Sequence, residues 1–142
     1  MTFAAMPPTV VVDASIAVGA AVSEPPAMDA LGDLQDRAAV LLAPPLIWME
    51  TANALVRGHS FSVPDATFVL RAMERLGLEA ADRGLDGLVQ AMSLAGKHGL
   101  SVYDAAYLWL ALDLDAELAT LDHDLARAAA AEGVALAIPL EP

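Results

Sequence analysis

The chain has 142 residues, 57% of them hydrophobic, and it contains no cysteine. This length and hydrophobicity favour a single folded domain over residues 1–142 and exclude a disordered chain, while the lack of cysteine excludes a disulfide scaffold, a zinc–thiolate site and a cysteine nucleophile. Nineteen acidic residues against seven basic ones give a formal charge of −12, which taken whole argues against a protein that holds nucleic acid or anionic membranes by charge alone.

The apolar N-terminal stretch lacks the basic region of a secretory signal, because the first basic residue is Arg37. Uncharged runs such as residues 38–49 are too short to span a bilayer, and this one contains two prolines. We therefore expect a cytoplasmic protein without membrane contact.

Short apolar runs alternate with stretches of helical pattern along the chain. Residues 10–12 form a β-branched run without alternation, which is typical of a strand buried on both faces. Serine residues are placed as helix N-caps, and Gly58 is placed as a C-cap. In chain order the pattern predicts a strand at 9–12, helices at 15–22 and 27–37, a strand at 39–42, helices at 46–57, 62–76, 86–97 and 101–112, a strand at 117–121, a helix at 124–131 and a strand at 134–138.

These elements predict an α/β fold in which a small parallel sheet is covered by helices on both faces. The strand–helix–strand unit at the end of the chain is the clearest parallel unit. In parallel sheets the ligand crevice lies beyond the carboxyl ends of the strands. Acidic residues at those ends are therefore the first candidates for a functional site.

Two aspartates directly follow predicted strands. Asp13 comes after the run at 10–12, and Asp122 ends the strand at 117–121. Each of them alone is well explained as the N-cap of the following helix. Two acids at two strand ends are harder to explain in that way, because both point into one crevice.

Two further acids lie near predicted helix starts. Asp104 belongs to an S-x-x-D sequence that begins with Ser101, and the capping box is the favoured interpretation of that segment alone. Glu50 lies in an otherwise apolar helix and shares a face with Asn53 and Arg57. That polar stripe is equally well explained as the solvated side of the helix.

Together, Asp13, Glu50, Asp104 and Asp122 suggest a metal site. Carboxylates gathered in one crevice repel each other unless a cation offsets their charge, and Mg²⁺ or Mn²⁺ is bound by a few carboxylates and waters. The typical chemistry is metal-assisted attack of water on a phosphodiester. The three histidines are scattered and expected to face solvent: His59, His98 and His123.

Four segments resemble PIN-domain ribonucleases, and among these the VapC-type toxins of bacterial toxin–antitoxin (VapBC) pairs. They are VVDAS at 11–15, WMETANAL at 48–55, SVYDAAY at 101–107 and LATLD at 118–122, in family order over nearly the whole chain. The resemblance implies that the four acids form the catalytic, metal-binding cluster and that three polar residues support it: Ser15, Asn53 and Thr120.

The same resemblance implies endonucleolytic cleavage of RNA, a homodimer, and silencing by a cognate VapB-type antitoxin whose tail blocks the crevice. Asp124 follows the cluster closely, although a role at the helix start explains it better.

Basic residues, which a ribonuclease needs to hold a polyanion, are concentrated in the middle of the chain. Residues 1–50 carry a charge of −5, residues 51–100 are neutral, and residues 101–142 carry −7. We expect Arg57 to contact RNA phosphates, because it lies on the Glu50 face, and Arg71 and Arg75 to extend that contact. Pairing of these two arginines with Glu74 or Glu79 is the competing explanation.

Two other functions remain open at this stage. A phosphoacceptor domain also places an aspartate after a strand, but it needs a nearby lysine, and the single lysine, Lys97, lies at a helix end. A non-catalytic interaction protein is compatible with the high hydrophobic content. Such a protein would have no need of the four acids together.

Overall fold

The predicted α/β fold is confirmed by the computed structural model, which describes residues 6–140. The strands are β1 (Thr9–Val12), β2 (Val40–Ala43), β3 (Glu79–Ala80) and β4 (Glu117–Ala119). All pairings are parallel, and the order across the sheet is β3-β2-β1-β4. The carboxyl ends of the strands therefore share one edge of the sheet, as the sequence predicts.

Helices connect the strands in the order that the sequence pattern predicts. They are α1 (Ala14–Ala21), α2 (Pro25–Asp36), α3 (Leu46–Asn53), α4 (Val63–Arg75), α5 (Gly84–His98), α6 (Val102–Leu114) and α7 (His123–Ala131). Ser62 and Ser101 cap α4 and α6 through their hydroxyls, in agreement with the predicted helix starts. In the part of the chain that the structure describes, no helix is long and apolar enough to cross a membrane.

The core is built around β1. Val10, Val11 and Val12 are all buried, which agrees with a strand covered on both faces. Leu108 of α6 and Leu125 of α7 are also fully buried in the same apolar cluster. The sheet and its helices thus form a fixed base for the side chains that project beyond the strand ends.

The prediction of a last strand at 134–138 is wrong, because this segment does not form a strand. Only one residue of it pairs, in a parallel bridge between Leu136 and Leu118 of β4. The Leu118 N–H donates to the Ala135 carbonyl and the Leu118 carbonyl accepts from Ala137 N–H, each at 2.9 Å. The predicted strand at 117–121 also ends early, at Ala119. β4 has three residues, and only Leu118 directs its N–H and carbonyl away from β1. It can therefore form only one bridge with the end of the chain.

Two other features differ from the sequence prediction. β3 was not predicted, since its two exposed residues carry no apolar pattern and are held by backbone pairing with β2. The predicted helix at 46–57 is α-helical only to Asn53 and continues as a π-helical turn over Ala54–Gly58. His59, rather than Gly58, is therefore the C-cap residue, and its N–H donates to the Ala54 carbonyl five residues back.

Candidate functional site

The carboxyl ends of β1 and β4 lie side by side. Val12 is in register with Ala119, and the Asp13 N–H donates to the Ala119 carbonyl at 3.1 Å. The residues that follow, Asp13 on one strand and Thr120 on the other, are therefore neighbours although 107 positions separate them in sequence. Both are buried.

Asp13 is held on both oxygens by hydroxyl groups. Thr120 Oγ1 donates to Oδ2 at 2.6 Å, while the Ser15 hydroxyl and the Ser15 N–H both donate to Oδ1. Each hydroxyl oxygen also accepts a backbone N–H, from Leu121 to Ser15 at 2.9 Å and from Asp122 to Thr120 at 3.0 Å. These acceptor bonds direct both hydroxyl protons towards Asp13. Ser15 and Thr120 therefore support Asp13 directly.

Burial governs the ionisation of Asp13, which is 5% exposed. It raises the pKa of Asp13 from 3.8 to about 6, because desolvation outweighs the hydrogen bonds from Ser15 and Thr120. The charge of nearby Asp122 raises the pKa further. A cation that offset this charge would favour the ionised carboxylate.

Asp122 is the N-cap of α7, as the simpler interpretation of the sequence predicts. Its Oδ1 accepts the N–H groups of Asp124 at 2.9 Å and Leu125 at 3.2 Å. Capping does not remove Asp122 from the cluster, since its charge raises the pKa of both Asp13 and Asp104. Asp124 is exposed and forms an ion pair with Arg127, and it too raises the pKa of Asp104.

Glu50 reaches the cluster from α3 and is half-buried. The Tyr107 hydroxyl donates to Glu50 Oε1 at 2.7 Å. Burial raises the pKa of Glu50, the Tyr107 bond opposes this, and the charge of Asp104 adds to the rise. Burial, followed by the hydrogen bond to Glu50, raises the pKa of Tyr107, so its hydroxyl stays protonated.

Tyr107 was not singled out from the sequence. The available signal was its position about one helical turn after Asp104, which places its hydroxyl on the same side of helix α6.

Asp104 lies in the first turn of α6. Its backbone N–H donates to the Ser101 hydroxyl at 3.0 Å, so half of the predicted capping box is present. The reciprocal bond, from the Ser101 N–H to the Asp104 carboxylate, is absent from the hydrogen bonds of residues 6–140. Burial raises the pKa of Asp104, and the charge of Asp122 raises it further.

We call Asp13, Glu50, Asp104 and Asp122 the acidic cluster. The charge of Asp122 raises the pKa of Asp13 and of Asp104, and the charge of Asp104 raises the pKa of Glu50, so these repulsions connect all four members. No basic side chain forms an ion pair with any of them over residues 6–140. Over the same residues, no three His, Cys, Asp or Glu side chains already converge on one point as a metal site.

The oxygens of the cluster fall into two kinds. One oxygen of each of Asp13, Glu50 and Asp122 is held by the protein through at least one hydrogen bond. Glu50 Oε2 and Asp122 Oδ2 accept no hydrogen bond within the described residues, and Asp13 Oδ2 accepts only that of Thr120. Since each carboxylate oxygen carries two lone pairs, these three oxygens keep capacity for a ligand.

A groove of about 360 Å³ opens beside the acidic cluster. Its lining includes Thr120, Asp122 and His123 together with Glu24 and Ile138. The groove provides access from solvent to the carboxyl edge of the sheet.

The other predicted site residues lie outside the cluster. Asn53 is exposed and makes no hydrogen bond to the acids within the described part of the chain. The π-helical turn follows Asn53, so it interrupts the α-helical period between Glu50 and Arg57, on which the shared face of these two residues was predicted. Arg71 pairs with Glu74 at 3.1 Å, as the competing explanation expected. Arg57 and Arg75 form no ion pair with residues 6–140.

The remaining chemistry-bearing residues do not converge on Asp13. Lys97 Nζ lies 2.8 Å from a Glu132 carboxylate oxygen. The lysine that a phosphoacceptor site would require is therefore paired with Glu132 rather than with Asp13. His59 and His123 are exposed, as expected. The expectation is wrong for His98, because its Nε2 lies 3.2 Å from the same Glu132 oxygen and the side chain is largely covered.

Comparisons with known proteins agree with this fold. The sequence profile of the PIN domain matches residues 10–131. A Pyrobaculum aerophilum protein, PAE2754, is similar in structure with a TM-score of 0.62 and 24% identity, over 88% of this chain and 87% of that one.

Two further structures are similar at lower identity. A toxin–antitoxin complex from Klebsiella pneumoniae gives a TM-score of 0.64 at 19% identity, over 82% and 90% of the two chains. Mycobacterium tuberculosis VapC20, described as a sarcin–ricin loop cleaving toxin, gives 0.60 at 18% identity, over 84% and 94%. The search of curated sequences finds no match. Because the domain profile covers residues 10–131, most of the chain, the chain belongs to the PIN-domain family.

Proposed function

We propose that this protein is a metal-dependent endoribonuclease that hydrolyses RNA phosphodiester bonds at the acidic cluster, and that it acts in the cytoplasm as the VapC-type toxin of a type II toxin–antitoxin pair. One observation carries the proposal. Burial and the charge of another member of the acidic cluster raise the pKa of Asp13, Glu50 and Asp104, and no member of the cluster has a basic partner over residues 6–140.

Membership of the PIN-domain family supports a nuclease. The similar structures include a toxin–antitoxin complex and a toxin described as cleaving the sarcin–ricin loop, which supports the assignment to a toxin. A structural protein would gain nothing from repelling carboxylates gathered in one crevice, because each of them costs free energy to bury.

The donor set fits a hard divalent cation. Mg²⁺ and Mn²⁺ prefer carboxylate oxygens, and the cluster offers Asp13 Oδ2, Glu50 Oε2 and Asp122 Oδ2 together with the Asp104 carboxylate. Such a cation, when bound, stabilises the negative charge that develops on a phosphodiester and promotes attack by water.

The protein's own residues hold this donor set in place. Ser15 and Thr120 orient Asp13 through hydroxyls whose protons are directed by backbone N–H groups. The first turn of α7 fixes Asp122 through two N–H bonds. Such hydrogen-bonded support keeps the ligands aimed before substrate arrives, and its loss weakens metal sites.

We assign RNA binding to exposed arginines in the middle of the chain. Arg57 and Arg75 are the better candidates, because both are exposed and neither is engaged in an ion pair over residues 6–140. Arg71 would first have to leave Glu74. The scarcity of free basic groups predicts weak, salt-sensitive binding of RNA.

Two partners belong to the same proposal. An apolar groove of about 420 Å³ lies between α1 and α4 and is bordered by Phe68, which is 67% exposed, and this groove suits an apolar segment of an antitoxin. An exposed apolar stripe on α5 suits a homodimer; it consists of Leu85, Leu88, Val89 and Met92. Exposed apolar patches of this kind mark interaction surfaces.

The test is cleavage of a defined RNA by purified protein, freed from co-purified partner by denaturation and refolding. We expect cleavage with Mn²⁺ or Mg²⁺, none in excess chelator, and a loss of at least about a hundredfold in Asp13→Asn and Asp104→Asn. Asp29→Asn is the matched control, because Asp29 is an exposed acid on α2. Equal cleavage by the cluster variants and the wild type would contradict the mechanism.

The second candidate is a non-catalytic interaction protein, which the apolar stripe on α5 favours. It predicts that refolded, partner-free wild type cleaves no RNA with any divalent cation yet still self-associates. Size-exclusion chromatography with light scattering on wild type and Met92→Glu measures the second property.

A further inference from the structure

Three of the four acids in the cluster share one arrangement. Backbone N–H groups hold Asp122 Oδ1, Ser15 holds Asp13 Oδ1, and the Tyr107 hydroxyl holds Glu50 Oε1. In each case the opposite oxygen keeps acceptor capacity. The groups that hold Asp13 Oδ1 and Asp122 Oδ1 are sequence neighbours, and Thr120 reaches Asp13 Oδ2 from the adjacent strand end. Tyr107, by contrast, lies on a different helix from Glu50, 57 positions along the chain.

The Tyr107 side chain is well suited to fix a carboxylate. It is 1% exposed, so the core sets the position of its rigid ring, and its hydroxyl makes a short bond of 2.7 Å to Glu50 Oε1. A tyrosine hydroxyl in such a buried position needs a polar partner. Glu50 has three side-chain torsions of its own, and no other described residue donates a hydrogen bond to it.

The same bond joins two helices that each carry one acid of the cluster. Tyr107 follows Asp104 by one turn of α6, and Glu50 belongs to α3. A bond from Tyr107 to Glu50 therefore fixes Glu50 relative to Asp104 as well as relative to the core.

We propose that Tyr107 is a positioning residue for the metal centre: its hydroxyl holds Glu50 Oε1 and thereby presents Glu50 Oε2 towards the divalent cation. This inference rests on the proposed function, since it concerns the same acidic cluster. In this role Tyr107 acts through Glu50 alone and contacts neither the cation nor RNA.

A purely structural role for Tyr107 makes a different prediction. If the ring only fills the core, then Tyr107→Phe, which keeps the ring and removes the hydroxyl, leaves cation binding unchanged. If the hydroxyl positions Glu50, the same substitution weakens cation binding while the helices stay packed. Orienting partners of metal ligands typically contribute about 10- to 100-fold in affinity.

The experiment measures Mn²⁺ affinity by titration calorimetry on full-length wild type, Tyr107→Phe and Tyr103→Phe. Tyr103 is the matched control, because it is the other tyrosine of the chain, lies on α6 and is 66% exposed. We expect the dissociation constant to rise about tenfold in Tyr107→Phe and by less than about twofold in Tyr103→Phe. Equal affinity of Tyr107→Phe and wild type would overturn the inference.

A second pair of variants tests whether Tyr107 acts through Glu50. In a Glu50→Ala background, adding Tyr107→Phe should cause no further loss of Mn²⁺ affinity, because the acceptor is already gone. An equal further loss in both backgrounds would show a structural role and overturn the inference. Absence of Mn²⁺ binding by the wild type would instead contradict the proposed function, and this inference with it.

Should Tyr107→Phe fail to fold, the wild type itself provides the measurement. The chain has two tyrosines, so ¹³Cζ labelling of tyrosine gives two signals. Titration with Mg²⁺ should shift the Tyr107 signal with the midpoint of cation binding, and Glu50→Ala should abolish that shift. A Tyr107 signal that ignores saturating Mg²⁺ would overturn the inference.

Discussion

The two halves of the acidic cluster are built in different ways. Asp13 and Asp122, at the ends of β1 and β4, are held by a closed set of hydrogen bonds among residues 13–15 and 120–125. Glu50 and Asp104, on α3 and α6, are half-buried, and one side-chain bond between helices, from Tyr107, connects that half to the core. The strand half is fixed by the backbone, whereas the helix half depends on packing.

The two halves therefore differ in how much the burial of their carboxylates costs in stability. Asp13 is the most buried acid of the cluster and carries the largest cost of desolvation. Glu50 and Asp104 of the helix half are more exposed than Asp13, so their charges cost less to bury. Substitutions in the two halves should therefore differ in their effects on stability.

Asp13→Asn should stabilise the metal-free protein at pH 8 by about 3 kcal/mol, which corresponds to the rise of the Asp13 pKa from 3.8 to about 6. Because the folded-state pKa is raised, the stability linked to Asp13 is fully present below pH 3.8 and is lost as the pH rises to about 6. The gain in Asp13→Asn should therefore disappear towards pH 4. Urea unfolding of both proteins between pH 4 and pH 8 measures it, and a pH-independent difference would contradict the explanation.

Thr120→Val should destabilise the protein by about 2 kcal/mol, because it removes the donor to Asp13 Oδ2 and the acceptor of the Asp122 N–H. Thr51→Val is the matched control: Thr51 is fully buried, and its hydroxyl has no hydrogen-bond partner within the described chain. That variant should be neutral or stabilising. Denaturant titrations measure the free energy of unfolding of both variants. Equal losses in the two variants would show that the change in packing, and not the hydrogen bonds of Thr120, causes the loss.

Asp104→Asn should change the free energy of unfolding by about 1 kcal/mol or less, since the carboxylate is half-exposed. Its RNA cleavage should nevertheless fall as far as that of Asp13→Asn if both acids serve one metal site. Parallel measurement of unfolding and cleavage tests this separation. A stability change as large as that of Asp13→Asn would remove the distinction between the two halves.

The smallest effect on cleavage is expected at Arg75 on α4, outside the acidic cluster. Arg75→Ala should raise the KM for RNA about threefold, leave kcat unchanged and leave stability unchanged, as for one exposed phosphate contact. Arg71→Ala is the control, because Arg71 is already paired with Glu74. Steady-state cleavage at two salt concentrations measures both, and a larger effect of Arg71→Ala would move the RNA path to the other side of α4.

Much of the strand half could be predicted from the sequence. The β-branched run before Asp13 and the turn after Leu121 are local signals, so they placed both aspartates at strand ends. The serine caps of α4 and α6 are equally local and are confirmed. Three features were not predicted: the two-residue β3, the π-helical turn after α3 and the reduction of the last predicted strand to a single bridge. Pairing and packing with distant residues decide them, rather than the local sequence.

By itself, the sequence determined the three longer strands, the helices between them and the positions of four acids at or near the starts of helices, since caps and apolar runs act over a few residues. Only the tertiary structure decided which oxygens are held and which keep capacity for a ligand. Thr120 meets Asp13 across 107 positions and Tyr107 meets Glu50 across 57. Contacts of that range are set by how β4 pairs with β1 and how α6 packs against α3, so no local pattern contains them.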